Sequence, residues 1–367
     1  MMVSNDQTAE LQARVRAAGE AGISLCVQGN ATKTWLGRAP EGEPVVVSEH
    51  SGVLSYEPQE LVIRARCGTP LQEIEAILAE RGQMLAFEPP HFAIPSPGAV
   101  ATPGATLGGT IAAGLSGPRR AAAGSARDFV LGTRVLTGRG EVLRFGGEVM
   151  KNVAGYDVSR LMTGALGTLG ILLDISLKVL PIPPLTRTLR RECSLSQALA
   201  LMSDWAARPL PISATCHVGE QLWVRLAGNE AGVVAAAKSL GGNALDDEVA
   251  ARFWSDQVRD QRHVFFAGHE PLWRLSLPAA APPVFPLDAQ LIEWGGAQRW
   301  VRSAIHPEVM RAQVAAVGGH ATLFRGGDRR SEVFQPLPSA LMELHREVKH
   351  AFDPQGILNR GRLYATL

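Results

Sequence analysis

Pro103-Gly104-Ala105-Thr106-Leu107-Gly108-Gly109-Thr110, running on through Ile111-Ala112-Ala113-Gly114, is the stretch on which the fold turns. Glycine lets the main chain come close to a bound group, and backbone N–H groups at a helix N-terminus favour negative charge. The stretch is not a GxGxxG run leading into a βαβ crossover, so the nucleotide fold of the dehydrogenases is not supported. Upstream, Gln28-Gly29-Asn30-Ala31-Thr32-Lys33 forms another bend of the same kind behind a short apolar strand, Ser24 to Val27. Taken alone, a tight turn accounts for that bend. Two such bends in one half of the chain point to a dinucleotide. The expectation is that both bends converge on a single diphosphate with their amides unengaged.

The surrounding pattern supplies the scaffold. Residues 5 to 20 read as an amphipathic helix with Leu11, Val15 and Ala18 on one face. Val53 to Tyr56 and Leu61 to Cys67 read as paired strands. Thr69, Pro70 and Gln72 open a helix, with Thr69 as the capping residue, and Gly82 ends it. A strand is predicted at Met84 to Phe87. Residues 95 to 126 lose regular patterning. Strands return at Phe129 to Thr137 and Glu141 to Phe145, joined at Gly138-Arg139-Gly140. A helix follows at Tyr156 to Met162. The strand Ile171 to Val179 alternates polar Asp174, Ser176 and Lys178 with apolar residues. Pro181, Pro183 and Pro184 mark a boundary. Beyond it, strands at 212–218, 221–227, 273–277, 291–294, 300–303 and 322–325 are interspersed with helices from Ser194, at 230–240 and at 307–317. This predicts an antiparallel sheet with helices on one face. No internal repeat of fixed period is visible.

Bulk properties exclude several classes. Of 367 residues, 46% are hydrophobic and 19% charged, enough for a packed core and against general disorder. A net charge of +1 with no basic stripe argues against nucleic acid. Cys26, Cys67, Cys193 and Cys216 form no CxxC pair, which argues against a disulfide framework, an iron–sulfur cluster or a cysteine zinc site and fits a reducing cytoplasm. The N-terminal residues are polar, with no apolar signal core. No run approaches the roughly 20 apolar residues of a membrane span. The expected location is the cytoplasm, with contact to the inner membrane made only through a partner.

The order of segments narrows the reading. The second bend leads through Gly117-Pro118-Arg119-Arg120, Gly124-Ser125-Ala126-Arg127-Asp128 and Val130-Leu131-Gly132 to Lys151-Asn152-Val153-Ala154-Gly155-Tyr156-Asp157 and Gly167-Thr168-Leu169-Gly170-Ile171. This succession resembles the PCMH-type FAD-binding domain shared by vanillyl-alcohol oxidase, bacterial D-lactate dehydrogenase and the glycolate oxidase subunits. Leu36-Gly37-Arg38, Cys67-Gly68-Thr69-Pro70-Leu71, Glu88-Pro89-Pro90-His91 and Leu143 to Asp157 tighten the resemblance toward the E type of glycolate oxidase subunit rather than its catalytic D sister. The tail, Phe352-Asp353-Pro354-Gln355-Gly356-Ile357-Leu358-Asn359-Arg360-Gly361-Arg362, is similar to the family's closing motif.

The resemblance implies an α+β fold: a two-subdomain FAD-binding domain over 1–181, a ferredoxin-like α+β cap over 182–335, and a tail over 336–367 that returns to the flavin. Gly29 and Asn30 would hold the pyrophosphate, with Gly108, Gly109 and Thr110 on its other side or at the ribose. Gln28, Ala31, Thr32, Lys33, Pro103, Gly104, Thr106, Leu107, Gly114, Gly117, Pro118, Arg119, Gly124, Tyr156 and Gly167 belong to the same implied set. Arg127 and Asp128 would position the second bend. Thr168 and Ile171 would lie near the adenine or the isoalloxazine edge, and Asn359 would reach toward the flavin. For Lys151 to Asp157, a helix cap and hinge stands beside direct flavin contact.

Departures from the wider family bear on chemistry. The first bend has no His, so noncovalent FAD is expected. Where many members carry an acidic residue before the closing strand, this chain has Gly164-Ala165-Leu166-Gly167-Thr168-Leu169-Gly170. The His-rich metal motif of the 2-hydroxy-acid dehydrogenases is missing: His320 stands alone, His263 and His269 lie six apart in a loop, and no metal is expected. Arg274, within the apolar strand Leu272 to Leu277, is the candidate cation for a substrate carboxylate, and His91 is a candidate beside the flavin. For each, a structural role (an ion pair, a loop hydrogen bond) is the blander alternative. The resemblance thus implies an accessory subunit of a glycolate oxidase (dehydrogenase) complex. Its D subunit would oxidise glycolate to glyoxylate, and its iron–sulfur F subunit would pass electrons on. The alternatives are an independent FAD-dependent 2-hydroxy-acid dehydrogenase and a non-catalytic scaffold.

Overall fold

The structure is a computed structural model that describes residues 5–92, 104–147, 157–285 and 290–367. The chain forms two compact units. Unit 1 holds Met1–Leu115, Ser125–Pro181 and Arg329–Leu367, and unit 2 holds Ser116–Gly124 and Ile182–Asp328.

In chain order unit 1 begins with α1 (Thr8–Ala21), which buries Leu11, Val15 and Ala18 and stops at Gly22, where φ is 66°. Next come β1 (Leu25–Gln28), β2 (Glu43–Val46), β3 (Val53–Glu57), β4 (Val62–Arg66), α2 (Leu71–Ala79) and β5 (Gln83–Met84). Helix α3 (Leu107–Ala113) follows, then α4 (Arg120–Ala123), which belongs to unit 2. Unit 1 resumes with α5 (Ala126–Phe129), β6 (Val130–Leu136), β7 (Val142–Gly146), α6 (Val158–Leu161), β8 (Ile171–Lys178) and β9 (Leu180–Pro181). β1 and β2 run parallel, and Leu358 pairs parallel on Leu25. The five-stranded sheet has the order β3-β4-β8-β6-β7 and is antiparallel throughout. Leu11, Val15, Leu25, Val45, Ile171, Leu173 and Leu358 pack as one cluster, each large side chain worth about 1.5–3 kcal/mol on burial.

Two local expectations are corrected here. Thr69 does not cap α2: its Oγ1 accepts from Gly52 N at 2.9 Å, and Pro70 occupies the N-cap with no side-chain cap bond. The alternation in β8 is not an inside–outside pattern either, because every residue from Ile171 to Leu177 is buried. β8 is paired on both edges by β4 and β6, α1 packs on Ile171 and Leu173, and α3 also packs against the strand. Asp174 is tolerated there because Arg64 Nε reaches Oδ1 and Arg134 Nη1 reaches Oδ2, each at 2.8 Å.

Unit 2 runs through β10 (Leu185–Glu192), α7 (Leu195–Ala206), β11 (Ile212–Val218), β12 (Gln221–Gly228), α8 (Glu230–Leu240) and β13 (Asn243–Ala244). A short α9 (Asp247–Arg252) passes into a π-helix at Phe253–Arg259. Then come β14 (Leu272–Ser276), β15 (Gln290–Glu293), β16 (Gln298–Arg302), α10 (Pro307–Ala315) and β17 (His320–Arg325). One antiparallel sheet has the order β13-β10-β12-β11-β15-β16-β14-β17. Its first half is βαββαβ with strands in the order 4-1-3-2, the ferredoxin-like arrangement. Its second half, β14 to β17, repeats that order in mirror sequence. The halves join where Cys216 of β11 faces Glu293 of β15. The proline-rich loop after Leu277 stands where the first half has α7. Arg299, fully buried, holds that loop by donating to Pro282 O at 2.6 Å and to Ala281 O, and it also donates to Gly296 O, after β15, at 3.2 Å. The duplication is therefore one of topology without a sequence period.

The expected contiguous blocks are departed from at two places. Ser116–Gly124 leaves the 1–181 block for unit 2, where Trp294 Nε1 donates to Gly117 O at 3.1 Å and the Arg120 guanidinium lies 4.4 Å from the Trp294 ring centre. Residues 329–335 belong to unit 1, tied in by Ala39 N to Arg329 O at 2.9 Å. Helix α11 (Ser339–Phe352) and the tail complete unit 1.

Candidate cofactor site

A cleft in unit 1 encloses about 860 Å³ of empty space, part of it continuous with solvent. Its walls are the end of β1, the first bend, α3, residues 166–172 and the tail at Asn359 and Arg362. The two glycine bends meet here. Asn30 Nδ2 donates to Gly104 O at 2.9 Å. A Cβ on Gly29 would stand 2.4 Å from Thr106 Oγ1, so only glycine allows the approach.

The amides of the two bends differ. Among the described residues, the N–H groups of Gly29, Asn30, Ala31 and Thr32 donate to no protein acceptor. Ala31 sits in the left-handed region at φ 55°, a conformation that turns successive N–H groups into a concave anion-binding nest. In the second bend Leu107 N donates to Thr69 O at 2.9 Å, Gly108 N to Cys67 O at 2.7 Å and Thr110 N to Thr106 O at 3.0 Å. Gly109 N is held by the Thr106 side chain, the N-cap of α3, at 3.3 Å. The expectation of unengaged amides thus meets the geometry in the first bend and not in the second. Gly108 is glycine for packing: a Cβ there would lie 2.6 Å from Cys67 Cβ.

The far wall is built by the tail. Asn359 Oδ1 accepts from Val27 N at 2.6 Å, and Asn359 Nδ2 donates to Leu166 O at 2.5 Å. Arg362 donates to Arg38 O and Thr34 O, both at 2.8 Å. Lys349 Nζ, buried on α11, donates to Thr168 O, Leu358 O and Asp353 Oδ2 at 2.7, 2.8 and 2.6 Å. Burial lowers the Lys349 pKa, with Asp353 opposing. Burial likewise lowers that of Arg362, with Cys26 opposing, and raises that of the Cys26 thiol, with Arg362 opposing. Among the described residues the cleft lining includes Lys33 and Arg362 and no carboxylate, which suits an anionic guest.

Of the residues singled out from sequence, Gln28, Gly29, Asn30, Ala31, Thr32, Lys33, Thr106, Gly108, Gly109, Gly167, Ile171 and Asn359 line this cleft. Gly104 touches it through the Asn30 bond. Leu107 and Thr110 are buried in α3, and Gly114 ends that helix at φ 63°. Thr168 is buried, with its hydroxyl donating to Ala165 O at 2.7 Å. Arg127 lies in α5, and Asp128 closes a capping box with Ser125. Gly117, Pro118, Arg119 and Gly124 are in unit 2. Pro103 and Tyr156 lie outside the described residues. Asn359 does reach back to the cleft, but both ends of its amide hold main chain. His91 is buried, with Nε2 2.9 Å from Glu75 Oε2, and it does not line the cleft. Arg274 sits on β14 in unit 2 and packs 5.5 Å from the Phe324 ring centre. Burial, then Arg120, lowers its pKa to about 10. Sequence reasoning passed over Cys26, Leu166 and Arg362 as cleft residues. Arg362 stood in the quoted closing motif, and Leu166, at φ 51°, carries no signal in its side chain.

A family model described as an FAD binding domain matches residues 1–146. Over all 367 residues the chain is 47% identical to glycolate oxidase subunit GlcE of Escherichia coli (strain K12), covering 100% of both. The chain belongs to the GlcE family of glycolate oxidase subunits. It is a subunit type of the FAD-dependent oxidoreductases, and the cofactor is FAD. D-lactate dehydrogenase of Archaeoglobus fulgidus is 25% identical across 100% of this chain and 92% of its own. Glycolate oxidase subunit GlcD of Bacillus subtilis is 29% identical over 51% of this chain and 38% of its own. A solved alkyldihydroxyacetonephosphate synthase shares the fold, with a TM-score of 0.68 at 15% identity over 96% of this chain and 75% of that one.

The cleft fits the cofactor on its own terms: four unengaged amides, a glycine approach that any Cβ would close, and no acidic wall. Among the described residues, no group of three His, Cys, Asp or Glu side chains is placed to hold a metal ion, and no helix is long and apolar enough to cross a membrane.

Proposed function

We propose that this chain is the FAD-binding accessory subunit of a glycolate oxidase (dehydrogenase) complex. In that complex glycolate becomes glyoxylate, and electrons leave through an iron–sulfur partner. The observation that carries the reading is the run of four unengaged N–H groups, Gly29 to Thr32, facing a cleft with no carboxylate in its lining. They would hold the diphosphate of noncovalent FAD, with Gly109 and the start of α3 as the opposite wall and Gly167, Ile171 and Asn359 beyond. Bound FAD supplies a hydride and electron acceptor, leaving the protein to bind and orient. The GlcE and GlcD relatives are named as subunits of one oxidase, which supports a D-type flavoprotein partner. The scattered cysteines of this sequence offer no cluster-binding run, so the iron–sulfur step is assigned to another chain. Contact with the inner membrane would come through that complex.

Arg274 favours a second reading, an independent 2-hydroxy-acid dehydrogenase. Among the described residues the Arg274 guanidinium has no carboxylate partner, and a cation without a counter-ion suits a substrate carboxylate. The purified chain decides between the two. The accessory reading expects a yellow protein whose flavin is released by denaturation and is not bleached by glycolate until a D-type subunit is added. A chain that takes up no FAD overturns the proposal. Bleaching by glycolate without a partner hands it to the second reading.

A further inference from the structure

We infer that Asn359 and Arg362 are positioning residues for the cofactor, forming a C-terminal clasp that holds the first bend with its amides turned into the cleft. The inference rests on FAD occupying that cleft. The bend needs such a device because, among the described residues, the N–H groups of Gly29 to Thr32 donate to no acceptor, the Thr34 N to Ala31 O bond is long at 3.5 Å, and Ala31 is left-handed. A peptide of that kind has many alternative conformations, each costing little.

The tail restrains the bend from both ends. On the N-terminal side, Asn359 Oδ1 takes the Val27 N–H at 2.6 Å, which fixes the peptide plane leading into the bend. On the C-terminal side, Arg362 Nη2 takes Thr34 O at 2.8 Å and lies 3.5 Å from Lys33 O, while Nη1 takes Arg38 O at 2.8 Å. Across the cleft, Asn359 Nδ2 secures Leu166 O at 2.5 Å, on a second left-handed residue. The clasp is itself held: Leu358 pairs with Leu25, and its carbonyl accepts from Lys349 Nζ. A planar guanidinium is suited to gathering several carbonyls at once, and an ammonium is not. A primary amide accepts from Val27 with its oxygen and donates to Leu166 with its nitrogen.

The test uses the full chain stripped of flavin, read in two ways: FAD affinity by flavin fluorescence, and hydrogen exchange of the segment 27–38 in the flavin-free protein. The isosteric Asn359→Asp keeps the acceptor for Val27 but sets an anion against Leu166 O. Arg362→Lys keeps the charge but loses the fork. Both should weaken FAD binding about tenfold or more, the loss of pre-organisation of one site, and both should speed exchange across 27–38 while α1 exchanges as in the wild type. Arg362→Met should do so more strongly. If Asn359→Asp and Arg362→Lys bind FAD as tightly as the wild type, or if segment 27–38 exchanges unchanged, the clasp is refuted. If the wild-type chain itself takes up no FAD, the reading of the cleft fails first and the clasp falls with it.

Discussion

Gln28–Lys33 and Gly104–Gly114 look alike on paper: small residues, glycines and a neighbouring strand or helix. Folded, they differ. Among the described residues, the first keeps four N–H groups unengaged beside a left-handed alanine. The second has its amides at Leu107, Gly108 and Thr110 bonded to main chain and becomes the first turn of α3. A glycine can thus serve a ligand by baring backbone, or serve the fold by letting two backbones touch. Gly29, close against Thr106, suits the former on the proposed reading, and Gly108 does the latter against Cys67.

Four substitutions or conditions can break or sharpen that contrast. The largest effect is expected at Gly29. Gly29→Ala puts a Cβ 2.4 Å from Thr106 Oγ1 and should weaken FAD binding about 100-fold, near 2.7 kcal/mol. Adding Thr106→Ala to the same chain should restore much of it. No recovery in a flavin titration would mean that the bends do not meet as described.

Gly108→Ala should act on stability instead. Forcing a Cβ toward Cys67 should cost about 1–3 kcal/mol of unfolding free energy, measured by urea denaturation, with FAD affinity of the folded fraction within about twofold. Its neighbour reverses the pattern. A Cβ at Gly109 meets Thr106 Oγ1 at 3.2 Å, and Gly109→Leu, with its branched end in the cleft that Gly109 lines, should fold while emptying that cleft. If Gly109→Leu retains its flavin, α3 is not the opposite wall.

The smallest effect concerns acid. His50 is fully buried, accepts from Gln7 N at 3.0 Å, and its carbonyl accepts from Gly68 N beside Cys67. Burial lowers its pKa below the usual 6.5, with Asp6 opposing. The unfolded chain therefore binds the proton more readily, so stability is fully present above pH 6.5 and is lost as pH falls through the lower folded value. Denaturation midpoints between pH 7 and 5 should fall less in His50→Gln than in the wild type. An equal fall would place the acid sensitivity elsewhere.

Legibility followed the same division. Periodicity and caps located α1, the β6–β7 hairpin, the start of a helix at Ser194 and the β11–β12–α8 run, because those signals are local. Thr69 was misassigned because its hydroxyl answers to Gly52, a neighbour that local spacing does not show. Asp174 and Ser176 read as the polar half of an alternating strand, and spacing does not show that Arg64 of β4 and Arg134 of β6 reach over Asp174. Strand β10 was passed over, since Arg187, Arg190 and Arg191 mask a strand whose apolar face shows only at Leu185 and Leu189. The segment Ser116–Gly124 read as cofactor loop because chain continuity suggests one domain, whereas Trp294 claims it for unit 2.

By itself the amino-acid order determined the glycine-rich bends, the sequence of strands and helices, and the closing motif that carries Asn359 and Arg362. Those depend on residue type and near neighbours, and they suffice for the family and for FAD. Only the tertiary structure decided which bend keeps its amides for a ligand, that the tail grips the other side of the same bend, and that unit 2 is a doubled sheet. A main-chain N–H is the same group at every position. Whether it is engaged depends on which distant carbonyl the fold brings within 3 Å, and composition does not carry that information.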